Sequence, residues 1–334
     1  MSAVAHHPAS SPLAARPAAS RAGLRAGVVF LLLAFAWLSP EPFKSLSVGQ
    51  LGTAGNIVNQ IAYSFAAVLA VAMLGLSGVR PLIAYGRSIY LLLLLWMVVS
   101  IVLSLDVEAS ARAFAFTLVV LAIGGLTLVI AADEPGFAMA IGLAAFLIVM
   151  LSYLGVVLTP ARAMHTAGDV SEPEHAGAWR GAFDHKNIAG PKMASFAFVG
   201  LYVAAVRSRA LGWSLFGLAT VFLYFTNAKT AMALFPLTIL FAWFAEKIRG
   251  PFLRSLLCLG PLAILLVFTV GSVLFTPVRE LLHAISPGQT FTGRTEIWGF
   301  AFDRLAQRPF TGFGFEAFWS SDMVRFAEVG EGET

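Results

Sequence analysis

Long apolar runs recur along this chain of 334 residues, and they constrain its fold more than any other feature. Most runs approach the ~20 residues that a helix needs to cross the ~30 Å hydrocarbon layer of a bilayer. They are unbroken rather than alternating, so helices are predicted instead of barrel strands. Nine candidate spans lie at residues 23–38, 57–78, 88–105, 112–132, 136–158, 188–206, 211–226, 230–246 and 255–276.

The composition agrees with residence in a membrane. Hydrophobic residues make up 58% of the chain and charged residues only 12%, whereas soluble domains are about 25% charged. The net charge of +4 comes from scattered basic residues, so nucleic acid is not an expected partner. The single cysteine, Cys258, lies in an apolar run and is interpreted as a small hydrophobic residue. We therefore predict an all-α, polytopic transmembrane helical bundle of about nine spans.

Three regions are predicted along the chain. Residues 1–22, rich in Ala, Pro, Ser and His, are expected to form a disordered cytoplasmic tail. Residues 23–276 are expected to form the helical bundle, with an outer loop at 159–187, and residues 277–334 a periplasmic segment. The first apolar run also resembles a signal peptide, but no clear cleavage site follows it, so an uncleaved anchor is preferred.

The distribution of basic residues predicts the orientation. With a cytoplasmic N-terminus, the inner segments carry most of the lysines and arginines. The inner loop at Asp133-Glu134 has none and is the exception. The loop 159–187 and the stretch after residue 277 then lie on the outer side. That loop carries Arg162, His165, Asp169, Glu172, Glu174, His175, Arg180, Asp184, His185 and Lys186.

The end of the outer loop forms the first motif. Arg180, His185 and Lys186 gather just before a helix start, where free backbone N–H groups and the helix dipole favour an anion. Three basic side chains at such a place predict a phosphate site. The alternative is that these residues bind lipid headgroups or anchor the span at the interface.

Two further motifs carry a basic residue each. Lys229 interrupts two apolar runs, a costly position unless it meets water, a partner or a ligand; the alternative is snorkelling to the interface. Arg294 precedes a predicted amphipathic helix that ends near Pro309, and arginine suits bidentate pairing with phosphate. The alternative is a surface arginine paired with Glu296 or Asp303. Gly312-Phe313-Gly314 lacks the context of a dinucleotide site.

In this order, the three motifs resemble those of the O-antigen ligase family, including the related exopolysaccharide-polymerisation proteins. The resemblance covers about residues 55–320. It rests on Gly181-Ala182-Phe183-Asp184-His185-Lys186-Asn187, on Thr226-Asn227-Ala228-Lys229-Thr230, and on Thr292-Gly293-Arg294-Thr295-Glu296-Ile297-Trp298 with its continuation to Gly314.

The resemblance implies a GT-C-like, inverting, metal-independent glycosyltransferase of the bacterial inner membrane, without a cofactor. Such proteins pass a glycan from undecaprenyl pyrophosphate, at the periplasmic face, to a glycan or lipid acceptor. Membrane lipids and polysaccharide-assembly proteins are the other implied partners. Carried over, the pyrophosphate ligands are Lys229 and Arg294, with Arg180, Lys186 and Asn187 as further candidates. The candidate catalytic residues are Asp184, His185 and Glu296.

The family pattern continues beyond the third motif to a histidine motif, which is the implied activator of the acceptor, and to further spans. The chain ends at Thr334 before such an element. We therefore expect a truncated product, or a divergent member that uses another base. Two other functions stay open at this stage: a polysaccharide or lipid transporter or flippase, and a non-catalytic assembly partner or inactive remnant that binds lipid pyrophosphate without turnover.

Overall fold

A computed structural model of the chain describes residues 12–38, 42–43, 57–77, 88–131, 133–169, 173–285, 294–318 and 324. Regular structure in this part is helical, apart from one isolated bridge in a loop. The α-helices are α1 (Pro12–Trp37), α2 (Ile57–Ser77), α3 (Ser88–Val102), α4 (Val107–Ile130), α5 (Glu134–Leu158), α6 (Pro160–Ala163), α7 (Lys186–Val206), α8 (Arg209–Phe225), α9 (Lys229–Lys247), α10 (Pro251–Leu274), α11 (Thr276–Ile285) and α12 (Arg294–Leu305).

Each of the nine predicted spans corresponds to a helix, and the amphipathic helix after the third motif corresponds to α12. Two boundaries differ from the prediction. Helix α1 begins at Pro12, so residues 12–22 are helical where a disordered tail was expected; residues 1–11 lie outside the described part. Alanine, the best helix former, explains how this polar stretch extends the helix. Helix α11 occupies part of the segment 277–334 in which no such helix was predicted.

Within the described ranges, five helices are long and apolar enough to cross a membrane: α4, α5, α7, α9 and α10. Shorter apolar stretches occur at Ile61–Met73, Tyr90–Val102 and α8. Large apolar side chains on these helices are exposed, as at Leu92 (65%) and Leu266 (60%). Exposed hydrocarbon on this scale needs an apolar solvent, so the chain is a membrane protein. The count of nine spans and the GT-C-like arrangement remain predictions.

The chain forms two compact units. The first comprises residues 1–85 and 117–235, and the second residues 86–116 and 236–334. In the first unit, α5 packs on α1 and α7, and α7 packs along α8. A hydrophobic cluster that includes Val29, Leu32, Ala70 and Ile130 joins α1, α2 and α4.

The α7–α8 pair approaches backbone to backbone. A Cβ added at Gly200 would lie 2.7 Å from the carbonyl oxygen of Gly212, and a Cβ at Gly212 would contact the backbone nitrogen of Ala204. Small residues allow membrane helices to come this close. The hairpin of α7 and α8 is therefore tightly fitted. The first motif leads into α7 and the second motif follows α8, so both motifs are attached to this hairpin.

In the second unit, the segment after α12 folds onto the turn between α3 and α4. The Leu105 N–H donates to the carbonyl oxygen of Phe313 at 3.0 Å, and the Ser100 hydroxyl donates to the carbonyl oxygen of Thr311 at 3.2 Å. Gly314 has a φ of 110°, and a Cβ there would contact Ser104. The Gly312-Phe313-Gly314 motif thus has a packing role.

Candidate functional site

The loop at residues 159–187 closes on itself, through its described residues, before it reaches α7. Met164 and Trp179 form an antiparallel bridge, and the carbonyl oxygen of Ala163 accepts the N–H groups of both Arg180 and Gly181 at 2.9 Å. Gly181 has a φ of 60°, and a Cβ there would lie 2.5 Å from the Cβ of Ser152. Glycine is required because the backbone is left-handed and lies against α5.

Trp179 fastens this loop to the end of α8. Its backbone N–H donates to the carbonyl oxygen of Phe225 at 2.9 Å. Its ring stacks on that of Phe225, with centroids 4.4 Å apart, and meets Tyr153 and Phe222 edge to face. Phe225 directly precedes the second motif, so this anchor brings the first two motifs together.

The second motif is a tight turn that ends α8 and starts α9. The buried Thr226 hydroxyl donates to the carbonyl oxygen of Leu223 at 2.7 Å and accepts the N–H of Ala228 at 3.2 Å. Asn227 has a φ of 51°, a left-handed conformation that asparagine tolerates. Helix α9 then begins at Lys229, whose side chain is exposed.

The starts of α7 and α9 lie side by side. Gly190, one turn after the start of α7, approaches the second motif so closely that an added Cβ would lie 2.5 Å from the Cβ of Ala228 and 3.3 Å from that of Ala231. Lys186 is the first residue of α7, and Lys229 is the first residue of α9. Two helix N-termini, each with a lysine, therefore meet at one place in the first unit.

The start of α9 has unused hydrogen-bond donors. For the N–H groups of Lys229, Thr230 and Ala231, no acceptor occurs among the described residues. The side chains of Lys229 and Thr230 are exposed, and Ala228 has no side-chain acceptor that could cap the helix. This end of α9 has the properties of an anion-binding helix terminus: free N–H groups, the positive end of the dipole and a cation.

The start of α7 is different, because imidazole nitrogens accept its first N–H groups. His185 is the N-cap residue, and its Nδ1 accepts the N–H of Asn187 at 3.0 Å. The N–H of Lys186 donates to Nε2 of His165 at 3.2 Å. The expectation of free N–H groups at this helix start is therefore wrong for these two residues; an anion here would meet side chains and the helix dipole.

His165 lies at the centre of this cap. It is 3% exposed, and its Nδ1 donates to Oδ2 of Asp169 at 3.0 Å. Oδ1 of Asp169 accepts the Thr166 hydroxyl at 2.9 Å. The His165 ring also meets the rings of His185 and His175, with centroids 4.7 and 5.8 Å apart. Three imidazoles thus surround the start of α7.

The environment favours a neutral His165. Burial lowers the pKa of His165 below its usual value, and the charge of His185 adds to this effect, against the raising influence of Asp169. Burial acts to raise the pKa of Asp169, but hydrogen bonds from Thr166 and His165 outweigh it and hold that pKa below its usual value. The pair is therefore a neutral imidazole with an N–H on Nδ1 and an ionised carboxylate.

Arg180 is enclosed by the loop that it helps to form. It is 1% exposed, and its guanidinium donates to the carbonyl oxygens of Asp184 at 3.2 Å and Phe183 at 3.5 Å. Burial lowers the pKa of Arg180, while the carboxylates of Asp169 and Asp184 act to raise it. In this arrangement the guanidinium shapes the loop that leads into α7. Its role as a pyrophosphate ligand stays a prediction.

The structure brings together the predicted residues of the first two motifs. Asp184 is half-buried, and its Oδ1 has no hydrogen-bond donor within the described residues. Asn187 is exposed, and Lys186 is half-buried. The third motif belongs to the second unit: α12 begins at Arg294, and the side chains of Arg294 and Glu296 lie outside the described part.

A groove of about 350 Å³ runs beside α7 from its first turn, at Asn187. Trp37 and Phe196 contribute apolar walls, and Ser195 and Lys192 are polar members. Lys192 is half-buried, and it has no hydrogen-bond or ion-pair partner in the described part of the chain. A cation in the apolar part of a membrane helix is costly without an anion, so this groove suits a molecule that has both hydrocarbon and negative charge.

Two features were missed in the sequence. His165 and Asp169 were noticed only as polar loop residues, although their spacing of four is a signal for a local side-chain pair. Lys192 was passed over inside a predicted span, where a lone lysine is itself a signal. The described residues contain no group of three or more His, Cys, Asp or Glu side chains that could hold a metal ion.

The comparisons with known proteins bear on the second half of the chain. Residues 214–333 match the family model described as O-antigen ligase. No curated protein and no solved structure matches the chain. The matched region starts within α8 and contains Lys229 and Arg294, so it includes the second and third motifs. Residues 214–333, less than half of the chain, are therefore similar to the O-antigen ligase family.

Proposed function

We propose that this protein transfers or polymerises a glycan carried on undecaprenyl pyrophosphate, at the periplasmic face of a bacterial inner membrane. The O-antigen ligase domain supports glycan transfer in general. The observation that carries the specific proposal is the open start of α9: Lys229 is exposed, the first N–H groups have no acceptor among the described residues, and the adjacent Ala228 contacts Gly190 of α7. The C-terminal segment and the loop 159–187 lie on that face in this proposal, and the N-terminus lies in the cytoplasm.

The chemistry requires stabilisation of a leaving group. A hydroxyl oxygen of the acceptor attacks the anomeric carbon, and the bond from that carbon to the diphosphate oxygen breaks. The electron pair leaves with the diphosphate, and the hydroxyl proton passes to a base. Fixed positive charge at the diphosphate lowers the barrier because the charge there grows in the transition state. Lys229 and the N–H groups of α9 supply that charge, with Lys186, Asn187, Arg180 and Arg294 as further ligands.

Three residues are candidates for the base. Asp184 and His185 adjoin the proposed diphosphate site along the chain, and Glu296 is the candidate in the third motif. Either carboxylate can accept a proton from a hydroxyl group, and so can a neutral imidazole. His185 uses Nδ1 for the N–H of Asn187, so only its Nε2 could act in this role while the cap is intact.

The groove beside α7 provides a path for the lipid chain of the donor. It starts at Asn187, next to the proposed diphosphate site, and it continues along an apolar, membrane-spanning helix. With Lys192 inside it, the groove matches a molecule whose hydrocarbon chain carries a phosphate at one end. A polyisoprenyl pyrophosphate has this form.

The experiment is an assay of the purified chain in lipid nanodiscs with a glycan linked to undecaprenyl pyrophosphate, without ATP or divalent metal. Release of undecaprenyl pyrophosphate and appearance of the transferred glycan are followed by mass spectrometry. We expect Lys229→Gln to lower turnover about a hundredfold or more, as for the loss of one transition-state donor. Lys247→Gln, which changes an exposed lysine at the other end of α9, serves as the matched control.

Each alternative function predicts a different result. Unchanged turnover in Lys229→Gln, with normal insertion, removes this residue from the site. Movement of intact lipid-linked glycan across the bilayer, without release of undecaprenyl pyrophosphate, identifies a transporter. Donor binding without turnover by the wild-type chain identifies a binding protein.

A further inference from the structure

The cap on α7 consists of two imidazoles with different hydrogen-bonding patterns. His165 donates from Nδ1 to Asp169 and accepts the Lys186 N–H at Nε2. His185 accepts the Asn187 N–H at Nδ1. Protonation of His165 at Nε2 would place an N–H against the N–H of Lys186, so the contact can exist only with the neutral ring. The same ring therefore fixes the first turn of α7 and depends on its own charge state.

We propose that His165 is a positioning residue: its neutral ring holds the first turn of α7 in place for the donor's diphosphate, and protonation releases that turn. This inference rests on the proposed function for its effect on the donor. Lys186 begins the turn that is held, and Gly190, which follows that turn directly, forms the contact with the second motif. A change at His165 would thus reach the diphosphate site without direct contact with the substrate.

Burial of the His165 ring and the positive charges around it favour the neutral form. Asp169, which is its hydrogen-bond partner, favours a protonated ring. His185 and His175 face the ring across the loop, and Arg180 is a permanent positive charge that acts on it. Burial of the ring, together with the charges of His185 and Arg180, outweighs this single carboxylate. Protonation of His165 in acid would therefore create a positive charge close to other positive charges.

Two substitutions separate the two hydrogen bonds of His165. In His165→Gln, the amide oxygen reaches the place of Nε2 and can accept the Lys186 N–H. In His165→Asn, the amide nitrogen replaces Nδ1 and can donate to Asp169, while the acceptor for Lys186 is lost. Neither side chain titrates. A residue that only fills space would show equal effects in both variants.

The first measurement is the kinetics of glycan transfer between pH 5 and pH 8. At pH 7.5 we expect His165→Asn to raise the donor KM roughly fivefold, the effect of one lost hydrogen bond, with kcat changed less than KM. His165→Gln should keep a KM near that of the wild type and abolish the wild-type rise in KM below pH 6.5. Equal KM values in the two variants, or an unchanged acid limb in His165→Gln, would overturn the proposal.

The second measurement needs no activity and separates this inference from the proposed function. Hydrogen–deuterium exchange of the peptide that covers residues 184–190 reports on the first turn of α7. After correction for intrinsic exchange, wild-type protection should fall as the pH drops from 7 to 5, and His165→Gln should show no such fall. If the wild type transfers no glycan at any pH, the proposed function fails. The role of His165 is then tested by hydrogen-exchange protection alone. Constant wild-type protection between pH 7 and pH 5 would refute the proposed role of His165.

Discussion

The starts of α7 and α9 lie against each other but have opposite hydrogen-bonding states. At α7, His165 and His185 accept the first N–H groups, and the loop before the helix is closed around a buried arginine. At α9, the N–H groups of the first three residues have no acceptor in the described structure, and Lys229 is exposed. One helix start is fixed, and its neighbour is open to a ligand.

The difference separates two tasks that a single phosphate site must perform. Donors that point at a ligand must be left unused by the protein, whereas their position must be held by bonds elsewhere. The α9 start provides the donors, and the α7 start, through Gly190 and Ala228, provides a fixed surface beside them. A basic motif before a helix is therefore insufficient evidence for a binding site, since the basic residues before α7 are partly used to build the loop.

The largest expected effect comes from removal of the charge inside the α7 loop. Arg180→Met should lower the free energy of unfolding by about 2–4 kcal/mol, because the variant leaves buried acceptors and the carboxylates of Asp169 and Asp184 without their cation. Chemical denaturation in detergent measures this change. Arg162→Gln, an exposed arginine in the same loop, is the control. A stability equal to that of the control would show that the guanidinium does not hold the loop.

The second largest effect is expected from a substitution at the contact between α7 and the second motif. Gly190→Ala places a Cβ 2.5 Å from that of Ala228, so one helix must move. We expect a loss of about 1–3 kcal/mol in unfolding free energy and a drop in glycan transfer. The double variant with Ala228→Gly should recover most of both. Gly217→Ala on α8, where a Cβ meets nothing within 4 Å, is the matched control. Absence of rescue would contradict the contact.

The stability of the α7 side should depend on pH. The folded pKa of His165 lies below its usual value of 6.5, so the unfolded chain binds a proton there before the folded chain does. Stability that is fully present above pH 6.5 is therefore lost as the pH falls through the folded pKa. The unfolding midpoint of the wild type should decrease from pH 7 to pH 5, and His165→Gln should reduce that slope. An identical slope in the variant would exclude His165 as the source.

The smallest expected effect concerns the groove that begins beside the α7 start. Lys192→Met keeps the length of the side chain and removes its charge. If a phosphate of the donor lies there, the donor KM should rise about threefold, as expected for one partly solvated charge contact. Ser195→Ala changes the same groove without a charge and is the control. Equal KM values for Lys192→Met and the wild type would exclude a charge contact at this position.

The helices were predictable because apolar length is a local property. The run that ends at Leu158 and the run that ends at Val206 each had the length of a span before any contact was known. The contacts that define the site were not predictable in this way. His165 reaches Lys186 over 21 positions, and Gly190 meets Ala228 over 38. Such pairs depend on the closing of the loop and on the fit of α7 to α8, which single-residue patterns do not record.

The backbone contact between Gly200 and Gly212 has a further consequence for how relatives of this chain can vary. Because the two backbones touch at these glycines, neither helix can slide or turn freely against the other. One inserted residue rotates the remainder of a helix by about 100° and advances it ~1.5 Å. The number of residues between His185 and Thr226 therefore determines how the first two motifs are positioned relative to each other. A search by this interval should find functional relatives that a search by identity alone overlooks.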